Sequence, residues 1–194
     1  MEETTTILSA LLNRRSVGQL REPGPTLEQL DAIIRAGASA PDHGRLKPWR
    51  FVIFKGEARL RFGELLAESL KVRIESQGLT ATESQLEKEK SKLLRAPVVV
   101  AVGAALDHEH SIPVIEQFAA TAAACENMLI AATALGIGSM WRTGDPSYDS
   151  SVKTALNLKE SDMVTGWLYF GSAAAKTAPI SQNYNHSQYV TYWH

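Results

Sequence analysis

Residues 113–135 constrain the fold more than any other stretch of the chain, because they read as a helix without a polar face. Pro113 suits a first helical turn, where its missing N–H is no loss, and Gly136 just past the end is a natural stop. Between them small and apolar residues, alanine above all, point in nearly every direction around the axis. Such a helix has to be covered on all sides, inside its own domain or between subunits. The rest of the 194 residues must supply that cover, and they suffice for one domain with a real core.

The covering elements are legible from their periodicity. Residues 97–106 (PVVVAVGAAL) form a continuous apolar run, as expected of a central strand buried on both faces. Residues 49–55 (WRFVIFK) are aromatic and β-branched, a second strand, and further strands are expected at 139–142 and 163–171. Ile7, Leu8, Leu11 and Leu12 recur at helical spacing in a first helix over residues 4–13, which runs into Arg14-Arg15-Ser16. Thr26 with Gln29 three residues on makes a capping box. It opens a helix whose apolar face is Leu27, Leu30, Ile33 and Ile34 and which Pro41 closes. Residues 57–76 are expected as a helix, 83–95 as a charged helix with a solvated face, and 151–156 as a short one. The tail, 178–194, has no helical pattern but carries Tyr184, Tyr189, Tyr192 and Trp193, so it is expected to pack on something, such as a partner subunit. With no repeat and no internal boundary, the expectation is one domain over residues 1–194. Its architecture is α+β, a central mixed β-sheet flanked by helices around a long buried core helix.

Composition removes several classes of function. A formal net charge of −1 offers no electrostatic case for nucleic acid. The single cysteine, Cys125, excludes an intrachain disulfide and reads as a small buried hydrophobe within the long helix. Residues 1–12 lack a basic n-region, and no run approaches the roughly 18 apolar residues of a membrane helix. The chain reads as a cytoplasmic protein with no membrane partner.

Four stretches can carry chemistry. Arg14, Arg15 and Ser16 place two guanidiniums and a hydroxyl together, a competent phosphate receptor, although cations at a helix C-terminus also serve the dipole alone. Ala40-Pro41-Asp42-His43 leads through Lys47-Pro48-Trp49-Arg50 into a strand. Such a polar loop can offer His43, Arg45 and Lys47 as donors to a cofactor edge, or simply hold surface side chains. Residues 136–144 (GIGSMWRTG) place glycines around a short strand ending in Trp141, Arg142 and Thr143. They are not a dinucleotide fingerprint, since a helix precedes them and Trp141 takes the place of the third glycine. Asp107-His108-Glu109-His110 superficially resembles a metal cluster, but nothing supplies further ligands at a known spacing, and a charged loop is the expected reading.

In order, the chain runs RRS, APDH, KPWRFVIFKG, RAPVVVAV, IPVIEQ before the alanine-rich helix, LGIGSMWRTG and GWLYFGS, with VTYW at the close. This series resembles the nitroreductase family of FMN enzymes, in particular its short bacterial NAD(P)H-dependent branch, from about Leu8 to Gly171. The resemblance implies a homodimer with FMN sites built from both subunits, a domain-swapped C-terminal tail, and two-electron, ping-pong transfer from NAD(P)H to a small-molecule electron acceptor such as a nitroaromatic or quinone. It also implies that Arg14, Arg15 and Ser16 hold the FMN phosphate and ribityl chain, that His43 reaches the flavin from the second subunit, and that Trp141, Arg142 and Thr143 line it. The nicotinamide is expected at Ala131, Ala132, Thr133, Ala134, Leu135 and Gly136. Ser39 stands where close relatives carry an arginine, with Arg45 or Lys47 as candidates for the missing charge, and any lid is expected from residues 70–94. Because the flavin carries the redox chemistry, no acid–base pair is required of the protein.

Overall fold

A computed structural model describes residues 2–174 and 185–194. Among the described residues the α-helices are α1 (Glu2–Asn13), α2 (Leu27–Ala38), α3 (Ala58–Glu75), α4 (Glu83–Lys90), α5 (Val114–Ala134) and α6 (Ser150–Ala155). The strands are β1 (Leu20–Arg21), β2 (Trp49–Lys55), β3 (Val98–Ala104), β4 (Gly138–Arg142) and β5 (Met163–Ala173).

The sheet is built around β3 and β5. Every residue of β3 is buried, as an all-apolar strand between two neighbours must be. It pairs with β2 on one side, Trp49 opposite Ala104 and Lys55 opposite Val98, and with β5 on the other. The far edge of β5 carries two short strands end to end, β4 opposite residues 167–171 and β1 opposite Ser172 and Ala173. All these pairings are antiparallel, so among the described residues the parallel element of the expected mixed sheet reduces to the isolated bridge from Ser16 to Ser139. The reason is connectivity: β2 leads through α3 and α4 to its antiparallel neighbour β3, and β5, inserted between β3 and β4, runs opposite to both, so the two strands that α5 links in the same direction never touch.

Two apolar layers follow from the period of two along the strands. Phe54, Trp167 and Tyr169 face α3 and α6, where they meet Phe62, Leu66 and Val152. Val100, Leu168 and Phe170 face α2 and α5, where they meet Ile33, Met128 and Leu129. Gly166 is required between them, since a Cβ there would come within 2.0 Å of Trp141 Nε1. The capping box at α2 forms as expected: Gln29 N–H donates to Thr26 Oγ1 at 3.2 Å, and Thr26 N–H to Gln29 Oε1 at 2.9 Å.

α5 buries Gln117, Ala120, Thr121, Ala124, Cys125, Met128, Leu129 and Ala132, one face only. On the other side Ile115 and Leu135 are exposed, so within one chain the long helix is only partly covered. α1 packs on α5 and leaves its own apolar stripe open, with Ile7, Leu8, Leu11 and Leu12 43–62% exposed. Residues 178–184 of the tail, Tyr184 among them, lie outside the described residues. From Asn185 to His194 every residue is exposed, Trp193 almost completely. Among the described residues no helix is long and apolar enough to cross a membrane.

The charged stretch 83–95 departs from its expected form. The helix stops at Lys90, and residues Lys92–Arg95 make a 3-10 turn folded under α3. Glu83, Glu87 and Lys88 are exposed, the expected solvated face, whereas Glu89 is buried and pairs with Lys92, Oε1 to Nζ 2.5 Å.

Candidate functional site

α5 organises the candidate residues along its length. At its first turn Glu116 Oε2 lies 2.5 Å from His43 Nδ1. Ten residues further on, roughly 15 Å at 1.5 Å per residue, Glu126 Oε1 lies 3.2 Å from Arg14 Nε. His43 and Arg14 of one chain are therefore held at different levels of the same helix, and only the arginine lies near the β4 edge. α5 then ends at Leu135, with Gly136 at φ 71° and Ile137 N–H donating to Ala132 O at 2.8 Å, a turn that sends the chain straight into β4.

Ser16 joins this edge through its backbone bridge to Ser139, with Val17 N–H donating to Ser139 O at 2.8 Å. The first and third sequence motifs thus come together on β4. Arg15, between Arg14 and Ser16, carries the most informative atom: its Nη1 is buried and has no hydrogen-bond partner. A buried guanidinium nitrogen left without an acceptor is costly, and an anionic ligand is the ordinary remedy. Arg14 and Arg15 therefore differ, one tethered by a carboxylate and one waiting for a partner.

The end of β4 splits its side chains between the two sheet faces. The Trp141 indole donates from Nε1 to Thr165 O at 3.3 Å and lies against the Gly166 backbone, which pins it to β5. Arg142 points to the opposite face, its guanidinium carbon 5.9 Å from the Tyr169 ring centroid. Thr143 is exposed, and Gly144 follows at φ 128°. Burial pushes the Tyr169 phenol up, Arg95 and Arg142 pull it back down, and Glu89 adds to the rise.

The loop between α2 and β2 holds the remaining candidates. Ser39 caps α2, its hydroxyl donating to Ala36 O at 2.8 Å, which gives a serine there a local reason. Arg45 and Lys47 both take positive φ, 58° and 50°, and Lys47 N–H donates to Asp42 Oδ2 at 2.7 Å. Holding two long cationic side chains in the left-handed region costs on the order of 1 kcal/mol each, a strain of the kind seen where a loop is shaped for a ligand. Of the residues expected at the nicotinamide, Ala132 is fully buried and the Thr133 hydroxyl turns back to Leu129 O, leaving Ala134, Leu135 and Gly136 exposed.

Gln117 escaped the sequence reading. Its amide accepts from Asp107 N–H at 2.9 Å and donates to Asp107 O at 2.8 Å and Ile112 O at 3.0 Å, clamping the 107–112 loop to α5. Within that loop His110 Nδ1 accepts from Ile112 N–H and Glu109 N–H donates to Asp107 Oδ1, so the side chains of Asp107 and His110 serve the turn, while His108 Nε2 lies 3.3 Å from Ser161 O. Cys125 is buried, and desolvation followed by the Glu126 charge pushes its thiol up to about 12, which leaves no thiolate for nucleophilic chemistry.

Comparison with known proteins agrees with this geometry. The Nitroreductase family model matches residues 11–172. A protein of Escherichia coli strain K12, provisionally named NAD(P)H nitroreductase YdjA, is 35% identical over 96% of this chain and 98% of its own length. Among solved structures, a nitroreductase-like family protein from Bacillus cereus superposes with a TM-score of 0.79 at 20% identity, over 96% of this chain and 95% of its own. A nitroreductase with bound FMN from Desulfitobacterium hafniense DCB-2 superposes with a TM-score of 0.66 at 17% identity, over 97% of this chain and 98% of its own. With its sequence motifs, its antiparallel sheet and its long partly covered helix all accounted for, this chain belongs to the nitroreductase family.

Proposed function

We propose that the chain is an FMN-dependent oxidoreductase that carries electrons from NAD(P)H to a small organic acceptor, working in the cytoplasm as a homodimer of single-domain subunits with FMN at their seam. The observation that carries this reading is the orphaned Arg15 Nη1 beside the Ser16–Ser139 bridge, a buried guanidinium nitrogen with no acceptor of its own. Arg14, Arg15 and Ser16 would hold the phosphate and ribityl chain, arginine's fork matching phosphate oxygens. The backbone of Trp141–Thr143 would line the ring, while the pinned indole of Trp141 keeps that edge rigid. The partner's His43 would complete the site, since His43 and Arg14 sit at separate levels of α5 within one chain. The exposed end of α5 at Ala134, Leu135 and Gly136 is where the nicotinamide would meet the protein.

FMN, when bound, supplies hydride and electron transfer, so the protein's tasks are to bind, orient and exclude water. That division explains why no acid–base dyad is needed among the candidate residues. It also leaves acceptor choice to the surroundings of the ring, with nitroaromatics and quinones as the acceptor classes.

The purified protein is expected to show flavin absorption bands near one FMN per chain, and to oxidise NADH or NADPH under anaerobic stopped-flow with a nitroaromatic or quinone present. A colourless protein that also fails to take up added FMN would overturn the cofactor assignment. Tight FMN with no NAD(P)H-driven reduction would make the chain a binding module.

A further inference from the structure

On the face of the sheet turned toward α3, a cavity of about 70 Å³ is lined by Lys92, Arg95, Arg142, Thr143, Trp167 and Tyr169, among others. Its charge is unbalanced. Lys92 is neutralised by the buried Glu89, but among the described residues neither Arg95 nor Arg142 has a carboxylate partner or a hydrogen bond. Arg142 rests over the Tyr169 ring, which leaves its N–H groups unspent. Two unpaired, partly buried guanidiniums in one recess repel each other and lack acceptors, and an oxyanion answers both deficits at once. The recess has room for a carboxylate head.

We propose that this cavity is a binding site for a small oxyanion of the carboxylate type, held between Arg95 and Arg142 over the Tyr169 and Trp167 rings. It is distinct from the phosphate receptor at Arg14–Ser16, which joins β4 through Ser139, whereas Arg142 closes the other end of that strand on the face toward α3. Arg142 and Thr143 also belong to the residues expected along the flavin, so the cavity adjoins the proposed redox site. The carboxylate can come from two sources, an acidic group on the electron acceptor or a free small anion.

Trifluoroacetate is a suitable probe, ionised at neutral pH and read by 19F NMR in the FMN-loaded protein, with trifluoroethanol as the neutral control. Saturable broadening or shift is expected for trifluoroacetate and not for trifluoroethanol. Arg95→Gln should weaken trifluoroacetate at least tenfold, while Arg95→Lys, which keeps the charge, should stay within about threefold. Unchanged FMN content and melting temperature show that the variants fold. The source is then assigned by kinetics. A KM for 4-nitrobenzoate that rises tenfold in Arg95→Gln, with that for 4-nitrobenzyl alcohol within twofold, makes the acceptor's own carboxylate the occupant. Equal effects on the two acceptors, with trifluoroacetate binding intact in the parent protein, assign a free anion. The proposal is overturned if the parent protein gives no saturable trifluoroacetate signal, or if Arg95→Gln binds it as the parent does. Neither result depends on turnover, so the redox reading stands or falls separately.

Discussion

At the scale of single residues the two arginines of the first motif separate sharply. Arg14 is tethered to Glu126 on α5, whereas Arg15 Nη1 is buried without a partner. Losing a charge-assisted contact to phosphate costs roughly 1.5–3 kcal/mol, ten- to hundredfold in affinity, and Arg15 is the residue whose contact nothing else in the chain replaces. Arg15→Ala is expected to weaken FMN by that factor, measured by fluorescence titration of the apoprotein, and Arg14→Ala to weaken it less. The unpaired nitrogen adds a second signature: without FMN, Arg15→Ala should leave the melting temperature unchanged or raised, because it removes an unsatisfied buried cation. A loss of apoprotein stability with FMN affinity intact would refute the assignment. The motif identified the triplet, but not which arginine was free, because that depends on Glu126, more than a hundred residues away. Gln117 and Glu116 were hidden for the same reason: one looked like another polar residue in a helix, and its partners lie in loops folded back on it.

At the scale of elements, periodicity located nearly every helix and strand, both where the apolar face meets the sheet, as in α2, and where it stays open, as in α1. What it missed is short or set by distant pairing. β1 has two residues and exists only because β5 runs on past β4 to meet it. The solvated face of the charged stretch 83–95 was legible, but composition does not reveal that the helix stops at Lys90, that the following turn folds under α3, or that Glu89 is buried. The junction of α3 with α6 yields a test of its own. Asp149 caps α6 through Ser151 and Val152 N–H, accepts from Ser69 Oγ at 2.6 Å, and lies 3.3 Å from Arg73 Nε. Burial raises its pKa, but hydrogen bonds from Ser151, Ser69 and the Val152 and Ser151 backbone N–H groups outweigh that and hold the carboxyl below its usual range. A depressed folded pKa means stability that is present above the unfolded value near 4 and lost as pH falls below it. Asp149→Ala is expected to cost about 1–2 kcal/mol in urea unfolding at pH 7, and Asp149→Asn less, since asparagine still caps. Both variants should lose stability less steeply than the parent between pH 5 and 3, and a parent-like acid slope in either would refute the role of this carboxylate.

At the scale of the whole molecule, the helix that opened the question is still half answered by one chain. α5 covers one face with the sheet and α2, while Ile115 and Leu135 at its two ends remain exposed, as does the stripe of Ile7, Leu8, Leu11 and Leu12 on α1. α1 packs on α5, and a second copy of the chain is the occupant that the family resemblance implies for these exposed residues. Covering half-exposed leucines of this kind contributes on the order of 1 kcal/mol each, so a few of them in one patch decide association. The same patch ends at Arg14 and Arg15, so if the flavin sits at the seam, association and cofactor binding must fail together. Leu8→Glu with Leu11→Glu places two charges in the patch without touching the core. The double variant is expected to run as a monomer by size-exclusion chromatography with light scattering, to keep the parent's helical circular dichroism, and to lose FMN on purification. A dimer that retains its flavin would place the interface elsewhere. A monomer that keeps one FMN per chain would show that the site is complete without the partner's His43.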